Sequence, residues 1–418
     1  MDNLLIRGMK PLNGQVKISG SKNSTLPIMA ASLLCSGQVI LDGVPDLEDI
    51  KVMAEALRVL GATVNREEDI LIIDGSKVNS CELPENISRK MRASNLVMGA
   101  LLARCHHAKI AYPGGCAIGT RPMDLHLKGF ENLGYKISEE YGFMEGQGKP
   151  EGIKDILLDF PSVGATENIM MAATLINGTT LIRNAAREPE IVDLQNFLNR
   201  MGAKIKGAGL DTIRIEGVSH LGNVEHSVIP DRIEAGTFMA AAAITRGELW
   251  IENVVPEHVQ PIIAKLKEIG VEIFHSSSGL KVVGRNRLRS TDIKTMPYPG
   301  FPTDMQPQMM SLLSTVRGTS ILVETIFENR YMHVQELRRM GADIKVEGRV
   351  AIIKGKNRLE GAFVEATDLR AGAALILTGL QADGETVISQ VEHIDRGYEK
   401  IHIKLESLGA DIKRIQNI

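Results

Sequence analysis

The sequence lacks cysteine pairs. Its 418 residues contain four cysteines, with no Cys-x-x-Cys pair and no Cys/His ligand spacing, at positions Cys35, Cys81, Cys105 and Cys116. This excludes a disulfide-stapled scaffold and the usual structural zinc sites. Isolated thiols are typical of a reducing compartment, so we expect a cytoplasmic protein.

Blocks of positive charge and long apolar runs are also missing. The formal net charge is −3, the sequence pI is about 6.4, and no basic cluster stands out. No run of roughly 18 uncharged apolar residues could span a bilayer, and the first residues do not form a signal peptide. We therefore expect neither a nucleic acid nor a membrane as partner, and any anion must be bound locally.

A short motif of an apolar residue, glycine and usually alanine recurs along the chain. Its glycines are Gly61, Gly134, Gly202, Gly270, Gly341 and Gly409. Their spacing of roughly 70 residues indicates that one supersecondary unit was copied six times. Each copy reads as an apolar helix, a strand, an amphipathic helix that ends at the motif, and one or two further strands. Six copies are too many for one core, so we expect an α/β protein of two domains with three copies each.

The leading helix of each copy is apolar on nearly all sides. Segments such as "EAGTFMAAAAIT" and "LRAGAALILTGL" are rich in alanine and glycine, as in helices packed closely on several sides. We expect these helices inside, with strands and the amphipathic helices around them. A break between the third and fourth copies is expected near residues 218–231, and the strands of the first twenty residues could complete either domain.

Polar residues recur at two equivalent places in the copies. The starts of the leading helices carry Lys22, Asn23, Arg92, Ser162 to Thr166, Glu234, Asp304, Asp368 and Arg370. The loops before the amphipathic helices carry Cys116, Arg121, Arg187, Arg330 and Arg396. A helix start attracts anions through its free N–H groups and its dipole, and a basic side chain there strengthens the site. If these starts gather in a cleft, they form a site for a small substrate with several negative charges, such as phosphate and carboxylate.

Cys116 lies in a stretch with unusual backbone freedom. The segment "YPGGCAIGTRPMDLH", residues 112–126, places glycines on both sides of the thiol and an arginine within five residues. A cysteine whose side chain can be presented in this way is a candidate for chemistry rather than for packing.

These residues occur in motifs that resemble a known family. The motifs are "GSKNSTLP", "MRAS", "PGGCAIGTRPMDLH", "SVGATENIMMAA", "NAAREPEI", "DRIEAGTF", "FPTDMQ", "ETIFENRYMHV", "ATDLRA" and "HIDRGYE". From about residue 4 to the C-terminus the chain resembles the UDP-N-acetylglucosamine 1-carboxyvinyltransferases, a family of enolpyruvyl transferases. The resemblance implies a two-domain inside-out α/β barrel with the active site between the domains. One domain would comprise residues 22–229 and carry a lid loop, 112–122, and the other residues 1–21 and 230–418.

The resemblance also implies a reaction and roles for residues. The enolpyruvyl group of phosphoenolpyruvate would pass to the 3-hydroxyl of UDP-N-acetylglucosamine, with release of phosphate, in the first committed step of peptidoglycan synthesis. Cys116 would be the acid, Asp304 the base, and Lys22 and Arg396 further catalytic residues. The implied phosphoenolpyruvate ligands are Lys22, Asn23, Arg121, Arg370 and Arg396. The implied UDP-sugar contacts are Asn23, Arg92, Arg121, Pro122, Met123, Asp124, Leu125, Ser162, Val163, Gly164, Asp304, Ile326 and Arg330, while Asp368 and Leu369 would line the cleft.

Further expectations follow from the same resemblance. Cys116 would form a phospholactoyl adduct with the activated substrate and would be alkylated by fosfomycin, under a lid that closes over the bound UDP-sugar. No metal or organic cofactor is expected. Some relatives carry lysine just before the Ser-Val-Gly stretch, where this chain has Phe160, so that position offers no charge to the nucleotide.

Three alternatives bear on the same residues. A 3-phosphoshikimate 1-carboxyvinyltransferase would share the barrel and the basic cleft but lack the cysteine loop. A non-catalytic repeat protein that binds an anionic partner would not need Cys116 and Asp304 together. A cysteine hydrolase would pair Cys116 with His126, but "RPMDLH" reads as the beginning of a helix, which favours a helix-face or loop-ordering role for His126.

Overall fold

The computed structural model describes residues 2–114, 118–119, 123–276, 278–285 and 287–416. The chain divides into two compact units, each described here by itself. Unit I comprises Gly20–Cys116 and Thr120–Ile229, and unit II comprises Met1–Ser19, Ala117–Gly119 and Pro230–Ile418. No helix in these described ranges is long and apolar enough to cross a membrane.

The described residues form twenty-four strands. In chain order they are β1 (Asp2–Arg7), β2 (Asn13–Lys17), β3 (Gln38–Asp42), β4 (Thr63–Glu67), β5 (Ile70–Asp74), β6 (Glu82–Leu83), β7 (His107–Ala111), β8 (Lys136–Glu140), β9 (Phe143–Gln147), β10 (Lys154–Leu157), β11 (Thr179–Arg183), β12 (Lys204–Lys206), β13 (Thr212–Glu216), β14 (Val224–Ser227), β15 (Glu248–Glu252), β16 (Glu272–Ser276), β17 (Gly279–Val283), β18 (Ile293–Lys294), β19 (Gly318–Val323), β20 (Asp343–Glu347), β21 (Val350–Gly355), β22 (Phe363–Glu365), β23 (Glu385–Ser389) and β24 (Asp411–Gln416).

Fourteen α-helices alternate with these strands over the same described ranges. They are α1 (Lys22–Ala31), α2 (Glu48–Val59), α3 (Glu85–Ser88), α4 (Val97–Cys105), α5 (Asp124–Leu133), α6 (Val163–Ala173), α7 (Pro189–Arg200), α8 (Arg232–Thr245), α9 (Gln260–Ile269), α10 (Gln306–Ser314), α11 (His333–Arg339), α12 (Leu369–Gln381), α13 (Glu392–Asp395) and α14 (Ile401–Ser407). Short 3₁₀ helices span Ser32–Leu34, Arg92–Leu96, Pro256–Val259 and Thr303–Met305.

The strands form six four-stranded sheets of one topology. Each sheet has one parallel pair followed by two antiparallel pairs, as in the order β14-β3-β5-β4. The edge strand of the parallel pair comes from a neighbouring copy. Backbone hydrogen bonds therefore connect each copy to the next. In unit I, β14 returns to pair with β3, which joins the last copy to the first. The sequence analysis predicted one or two further strands after each motif and did not include this edge strand, which pairs with the sheet of a neighbouring copy.

The first residues of the chain belong to unit II. β1 lies between β23 and β24, and β2 pairs in parallel with β15. The sequence left open which domain these strands would complete, because strand pairing across several hundred residues leaves no local trace.

The leading helices lie in the middle of each unit, as predicted. They are α1, α4 and α6 in unit I and α8, α10 and α12 in unit II. In α8 every residue after Arg232 is buried. Small residues allow this packing: a Cβ built on Gly99 of α4 would lie 2.3 Å from the carbonyl oxygen of Asn168 in α6. The helices are thus enclosed by sheets and by amphipathic helices such as α2 and α7, which bury one face.

The six motif glycines all adopt a positive φ. Their φ angles run from 90° to 109°, at Gly61, Gly134, Gly202, Gly270, Gly341 and Gly409. This left-handed conformation ends a helix and turns the chain into the next strand, and residues with a Cβ adopt it at a cost. The recurrence therefore reflects one backbone requirement met six times.

Candidate active site

The start of α1 carries Lys22 and Asn23, two of the predicted residues. Ser21 caps the helix, and its Oγ accepts the backbone N–H of Ser24 at 3.3 Å. Lys22 Nζ lies 3.2 Å from Oδ2 of Asp49, in the first turn of α2, and only 12 % and 6 % of the two side chains are exposed. The helix dipole opposes a lysine here, and Asp49 offsets that effect. The ammonium group is thus held near the N–H groups of α1, where it adds to their attraction for an anion.

The other helix starts of unit I lie close by. Arg92 begins the 3₁₀ helix that leads into α4, and this 3₁₀ helix contacts α1, α2 and α6. Ser162 caps α6, its Oγ accepting the N–H of Ala165 at 3.4 Å, so that Val163 and Gly164 form the first turn. Within unit I the structure therefore brings together the elements that carry the predicted residues Lys22, Arg92 and Ser162.

His126 lies beneath the start of α6. Its ring is buried, Asn168 Nδ2 donates to its Nδ1 at 2.9 Å, and a Cβ on Gly164 would lie 3.1 Å from its Cε1. Burial, with a smaller effect of the Arg92 charge, lowers the pKa of His126 to about 3. The neutral ring therefore acts as a packing residue on α5, which begins at Asp124 as the sequence predicted.

The residues before and at the start of α5 differ in exposure. Met123 is buried, and its sulfur lies 3.1 Å from Asn95 Nδ2. Asp124 is exposed and Leu125 is half-buried. Of the three, Asp124 and Leu125 remain accessible to a ligand through their side chains.

Three predicted residues lie outside the described residues: Cys116, Arg121 and Pro122. The expectations attached to them, including the lid, lie there as well. Between them, Ile118 and Gly119 belong to unit II. The carbonyl of Ile118 accepts the N–H of Asn329 at 3.1 Å, and a Cβ on Gly119 would lie 2.9 Å from Glu328 Oε2.

In unit II, Asp304 lies between two arginines. Its Oδ1 accepts from Arg330 Nη2 at 2.8 Å, and its Oδ2 accepts from Arg370 Nη2 at 3.0 Å. Both arginine side chains are 3 % exposed, whereas that of Asp304 is 25 % exposed. Two guanidinium groups favour the ionised carboxylate, so Asp304 is an acceptor that still faces an approaching ligand.

The two arginines retain hydrogen-bonding capacity. Arg330 Nε and Arg370 Nη1 are buried and have no hydrogen-bond partner among the residues that the structure describes. Burial lowers the pKa of Arg370, but Asp304, Tyr398 and Asp231 outweigh it and the pKa is raised overall. These N–H groups are donors that an anionic ligand could accept from.

A buried carboxylate, Glu324, organises the loop beside this cluster. Its oxygens accept from the hydroxyls of Thr295 and Thr303, each at 2.9 Å, and from the backbone N–H of Ile326 at 2.9 Å. Thr303 in turn accepts from Arg330 Nη1 at 2.9 Å. Glu324 therefore fixes both the predicted contact residue Ile326 and one of the two arginines.

The start of α12 adds the remaining predicted residues. Asp368 caps the helix by accepting the N–H groups of Arg370 and Ala371 at 2.9 and 3.0 Å. A Cβ on Gly397 would lie 2.5 Å from Leu369 Cδ2, which places neighbouring Arg396, just after α13, beside this helix start. Asp304, Arg330, Arg370 and Arg396 thus belong to one region of unit II.

Comparison with known proteins identifies the family. The EPSP synthase (3-phosphoshikimate 1-carboxyvinyltransferase) family model matches residues 6–405. UDP-N-acetylglucosamine 1-carboxyvinyltransferase 1 of Caldanaerobacter subterraneus subsp. tengcongensis is 59 % identical over 404 residues, covering 97 % of each chain. UDP-N-acetylglucosamine 1-carboxyvinyltransferase 2 of Carboxydothermus hydrogenoformans is 57 % identical over 419 residues, covering 100 % of each. The chain belongs to the UDP-N-acetylglucosamine 1-carboxyvinyltransferase family.

Solved structures agree with this family and its fold. The enolpyruvyl transferase NikO from Streptomyces tendae has a TM-score of 0.89 at 25 % identity, over 100 % of this chain and 99 % of that one. An EPSP synthase from Acinetobacter baumannii has a TM-score of 0.76 at 18 % identity over 100 % of both chains, which supports the fold alone. The predicted fold and the prediction of a transferase are confirmed. Of the alternatives, the non-catalytic repeat protein and the cysteine hydrolase are thereby disfavoured.

Sequence reasoning about this family member missed several residues. Asp49, Glu324 and Tyr398 each hold a predicted residue: Asp49 pairs with Lys22, Glu324 orients Ile326, and the Tyr398 ring lies 5.4 Å from the Arg370 guanidinium. Their contacts join separate elements, so no local spacing reveals them. One signal was available for Glu324, a charge that directly follows the apolar strand β19.

Phe160 is exposed in this family member, and its carbonyl accepts the N–H of Ser162 at 2.7 Å. The backbone before α6 is therefore shaped for the Ser162 cap, whatever side chain stands at position 160.

Proposed function

We propose that the protein transfers the enolpyruvyl group of phosphoenolpyruvate to the 3-hydroxyl of UDP-N-acetylglucosamine, with release of phosphate. The products are UDP-N-acetyl-enolpyruvylglucosamine and phosphate, and the reaction opens peptidoglycan synthesis. The observation that carries this proposal is the near full-length similarity, at 57–59 % identity, to proteins named for that activity. The charged groups at the helix starts of both units support it.

Asp304 is proposed as the base for the sugar hydroxyl. The hydroxyl oxygen forms a bond to C2 of phosphoenolpyruvate as its proton passes to the carboxylate, and C3 gains a proton to become a methyl group. Loss of a proton from that methyl group then expels phosphate by cleavage of its C–O bond. Asp304 suits the first step because it is partly exposed and held at both oxygens by Arg330 and Arg370.

The basic residues are proposed to bind the phosphate and carboxylate of phosphoenolpyruvate. Lys22, Arg370 and Arg396 belong to described elements, and Arg121 and Asn23 complete the proposed set. Arg370 offers its unpartnered Nη1, and Lys22 adds its charge to the N–H groups of α1. Such preorganised donors stabilise negative charge that develops in the transition state.

Cys116 is proposed as the acid that protonates C3. As a thiolate it would also attack C2 and trap the activated substrate as a phospholactoyl thioether adduct. This role comes from the family resemblance, since Cys116 lies outside the described residues.

The UDP-sugar is proposed to contact both helix starts and loops. The set is Asn23, Arg92, Arg121, Pro122, Met123, Asp124, Leu125, Ser162, Val163, Gly164, Asp304, Ile326 and Arg330. The Ser162 cap and the first turn of α6 provide N–H groups that suit a diphosphate. The buried Met123 side chain restricts its part to backbone contacts.

The proposal extends to domains, cofactor and location. The two enolpyruvyl transferase domains would comprise residues 22–229 and residues 1–21 with 230–418, which the two compact units support. The chemistry needs no metal or organic cofactor, because protein cations can accompany the leaving phosphate. We propose a cytoplasmic enzyme with no nucleic-acid or membrane partner.

A phosphate-release assay tests the reaction. With phosphoenolpyruvate and UDP-N-acetylglucosamine together we expect inorganic phosphate and a product heavier than the UDP-sugar by one enolpyruvyl group. Each substrate alone should release none. Phosphate release with shikimate 3-phosphate in place of the UDP-sugar would instead support the 3-phosphoshikimate alternative, and no release with either acceptor would refute both.

A further inference from the structure

The first turn of α1, which carries Lys22 and Asn23, rests on a buried polar cluster that the reaction does not use directly. The cluster consists of Ser24 in α1, Asp193 in α7 and His226 in β14, and their side chains are 0 %, 3 % and 6 % exposed. Ser24 Oγ donates to Asp193 Oδ2, and His226 Nε2 donates to Asp193 Oδ1 at 2.9 Å.

Asp193 also contacts the segment after β14, which is hydrogen-bonded to the cap of α1. Its Oδ2 accepts the N–H of Ile229 at 3.4 Å, and the carbonyl of Ile229 accepts the N–H of Ser21 at 2.7 Å. Ser21 caps α1 and accepts the N–H of Ser24. These hydrogen bonds form a closed cycle through Asp193, Ser24, Ser21 and Ile229. Lys22 lies between Ser21 and Ser24, in the turn of helix that the cycle holds.

The histidine is fixed as a donor to this cycle. Its Nδ1 is buried and finds no hydrogen-bond partner within the described part of the chain, and its ring meets that of Phe197 edge-on at 5.5 Å between centroids. With Nδ1 unable to find an acceptor, the proton is better placed on Nε2, where it binds the carboxylate. His226 thereby holds Asp193 in one orientation.

Unit II contains a similar hydrogen-bonded arrangement at the equivalent helix start. Asp231 caps α8, and Glu234 stands three residues after that cap, as Ser24 stands three residues after Ser21. Glu234 Oε2 accepts the N–H of Ser19 at 2.7 Å, the carbonyl of Ser19 accepts the N–H of Asp231 at 2.9 Å, and Glu234 Oε1 accepts from Lys404 of α14 at 2.6 Å. In both units a buried carboxylate links the helix start to an outer helix and to a neighbouring segment whose backbone carbonyl accepts the N–H of the cap residue.

This recurrence argues against a role in stability alone. A buried carboxylate is costly to desolvate, and an apolar side chain of similar size would fill the same space at no such cost. What hydrogen bonds add over apolar packing is direction, which fixes a turn of helix in one orientation. At the equivalent positions of α6 and α12 the residues are Ala165 and Ala371.

We infer that Asp193 is a positioning residue for the reaction: through Ser24 and Ile229 it orients the first turn of α1, and with it Lys22, while His226 holds the Asp193 carboxylate. The inference rests on the proposed function, in which Lys22 binds phosphoenolpyruvate. It extends the functional set to residues that touch neither substrate.

Two serines of one helix provide the test. Ser24 lies in the first turn of α1 and Ser32 directly follows the helix. Both are fully buried, and Ser32 Oγ donates to the carbonyl of Met29. We expect Ser24→Ala to lower kcat/KM for phosphoenolpyruvate at least tenfold, because small misplacements of a binding group have large effects. In Ser32→Ala, kcat/KM should stay within about twofold of that of the unaltered enzyme, although its loss in Tm should be comparable to that of Ser24→Ala. Ser24→Thr keeps the hydroxyl and should recover most of the activity.

Coupling to Lys22 gives a readout that a general loss of stability would not produce. In a Lys22→Ala background, Ser24→Ala should lower kcat/KM by less than about twofold, because the group it positions is already missing. Asp193→Asn should reproduce the effect of Ser24→Ala, and the double variant should be no worse than Asp193→Asn alone. Asp193→Asn also serves as the test should Ser24→Ala fail to fold.

The outcomes separate this inference from the proposed function. If the unaltered chain releases no phosphate from the two substrates, the proposed function is wrong and the inference falls with it. If the unaltered chain is active but Ser24→Ala matches Ser32→Ala, or its full effect persists without Lys22, the inference alone is overturned.

Discussion

At the scale of single residues, the proposed role of Asp304 as base combines two demands that usually conflict. A general base must accept a proton, yet Arg330 and Arg370, at 2.8 and 3.0 Å, stabilise its charged form. In the proposed function the same arginines also donate to the anionic substrate. In the proposed reaction this conflict would be eased, because negative charge that develops on the substrate would compete with the Asp304 carboxylate for the same guanidinium groups.

Replacing Asp304 should therefore separate binding from chemistry. Asp304→Asn removes the base and leaves both arginines free for the substrate. We expect kcat to fall by about 10² to 10⁴ while KM for phosphoenolpyruvate does not rise. Steady-state kinetics at saturating UDP-sugar measure both parameters, with Asp292→Asn, at an exposed position, as the control for loss of a carboxylate. An unchanged kcat with a raised KM would contradict the assignment as base.

His126 makes a second prediction at this scale. Its folded-state pKa of about 3 lies below the ordinary 6.5, so the unfolded chain binds the proton more tightly. Stability is therefore present above pH 6.5 and is lost as the pH falls from 6.5 towards 3, with about 2 kcal/mol lost between pH 7.5 and 5.0.

Urea unfolding at those two pH values checks the sign and size of the His126 effect. In His126→Gln, the free energy of unfolding should fall by about 2 kcal/mol less between pH 7.5 and 5.0 than in the unaltered chain. His275→Gln, at an exposed position, should show the same pH dependence as the unaltered chain. Equal pH dependence in all three proteins would show that His126 is not buried as a neutral ring.

At the scale of secondary structure elements, the sequence predicted most where the cause is local. The motif glycines marked the ends of helices such as α5 and α9 because each occupies a left-handed position that glycine fills best. The alanine-rich stretches predicted the central helices. By contrast, the pairing of β1 with β23 and β24, and of Lys22 with Asp49, joins residues far apart in sequence. Such pairings depend on the assembled fold and could not be read from spacing.

The motif glycines allow a clean measurement of this backbone requirement. Gly341 has φ 90° and open space around its missing Cβ, so a substitution meets conformational strain without a clash. We expect Gly341→Ala to lower the free energy of unfolding by about 1 kcal/mol and Gly341→Asn to lower it less, since asparagine tolerates the left-handed region. Urea denaturation of both variants gives the comparison. An alanine variant as stable as the glycine form would show that the repeat reflects ancestry alone.

At the scale of the whole molecule, unit II is closed by strands from the two ends of the chain. β1 lies between β23 and β24, so this sheet is complete only when residues near 7 and near 411 have met. In unit I the corresponding closure joins β14 to β3. Each unit is thus a closed ring of three copies, and closure rather than chain continuity should define what unfolds together.

A substitution in β1 tests that view. Ile6 faces the core of unit II at 0 % exposure, whereas Leu5 faces the other side and is only half-buried. Ile6→Ala should cost about 2 to 5 kcal/mol through lost packing, and Leu5→Ala should cost much less. Because the damage falls on a sheet built from both chain ends, hydrogen exchange in Ile6→Ala should accelerate in β23 and β24, close to the C-terminus, while β11 and β13 of unit I keep their protection. Equal acceleration in the strands of both units would show that the chain unfolds as one cooperative body and that the two units are not independent rings.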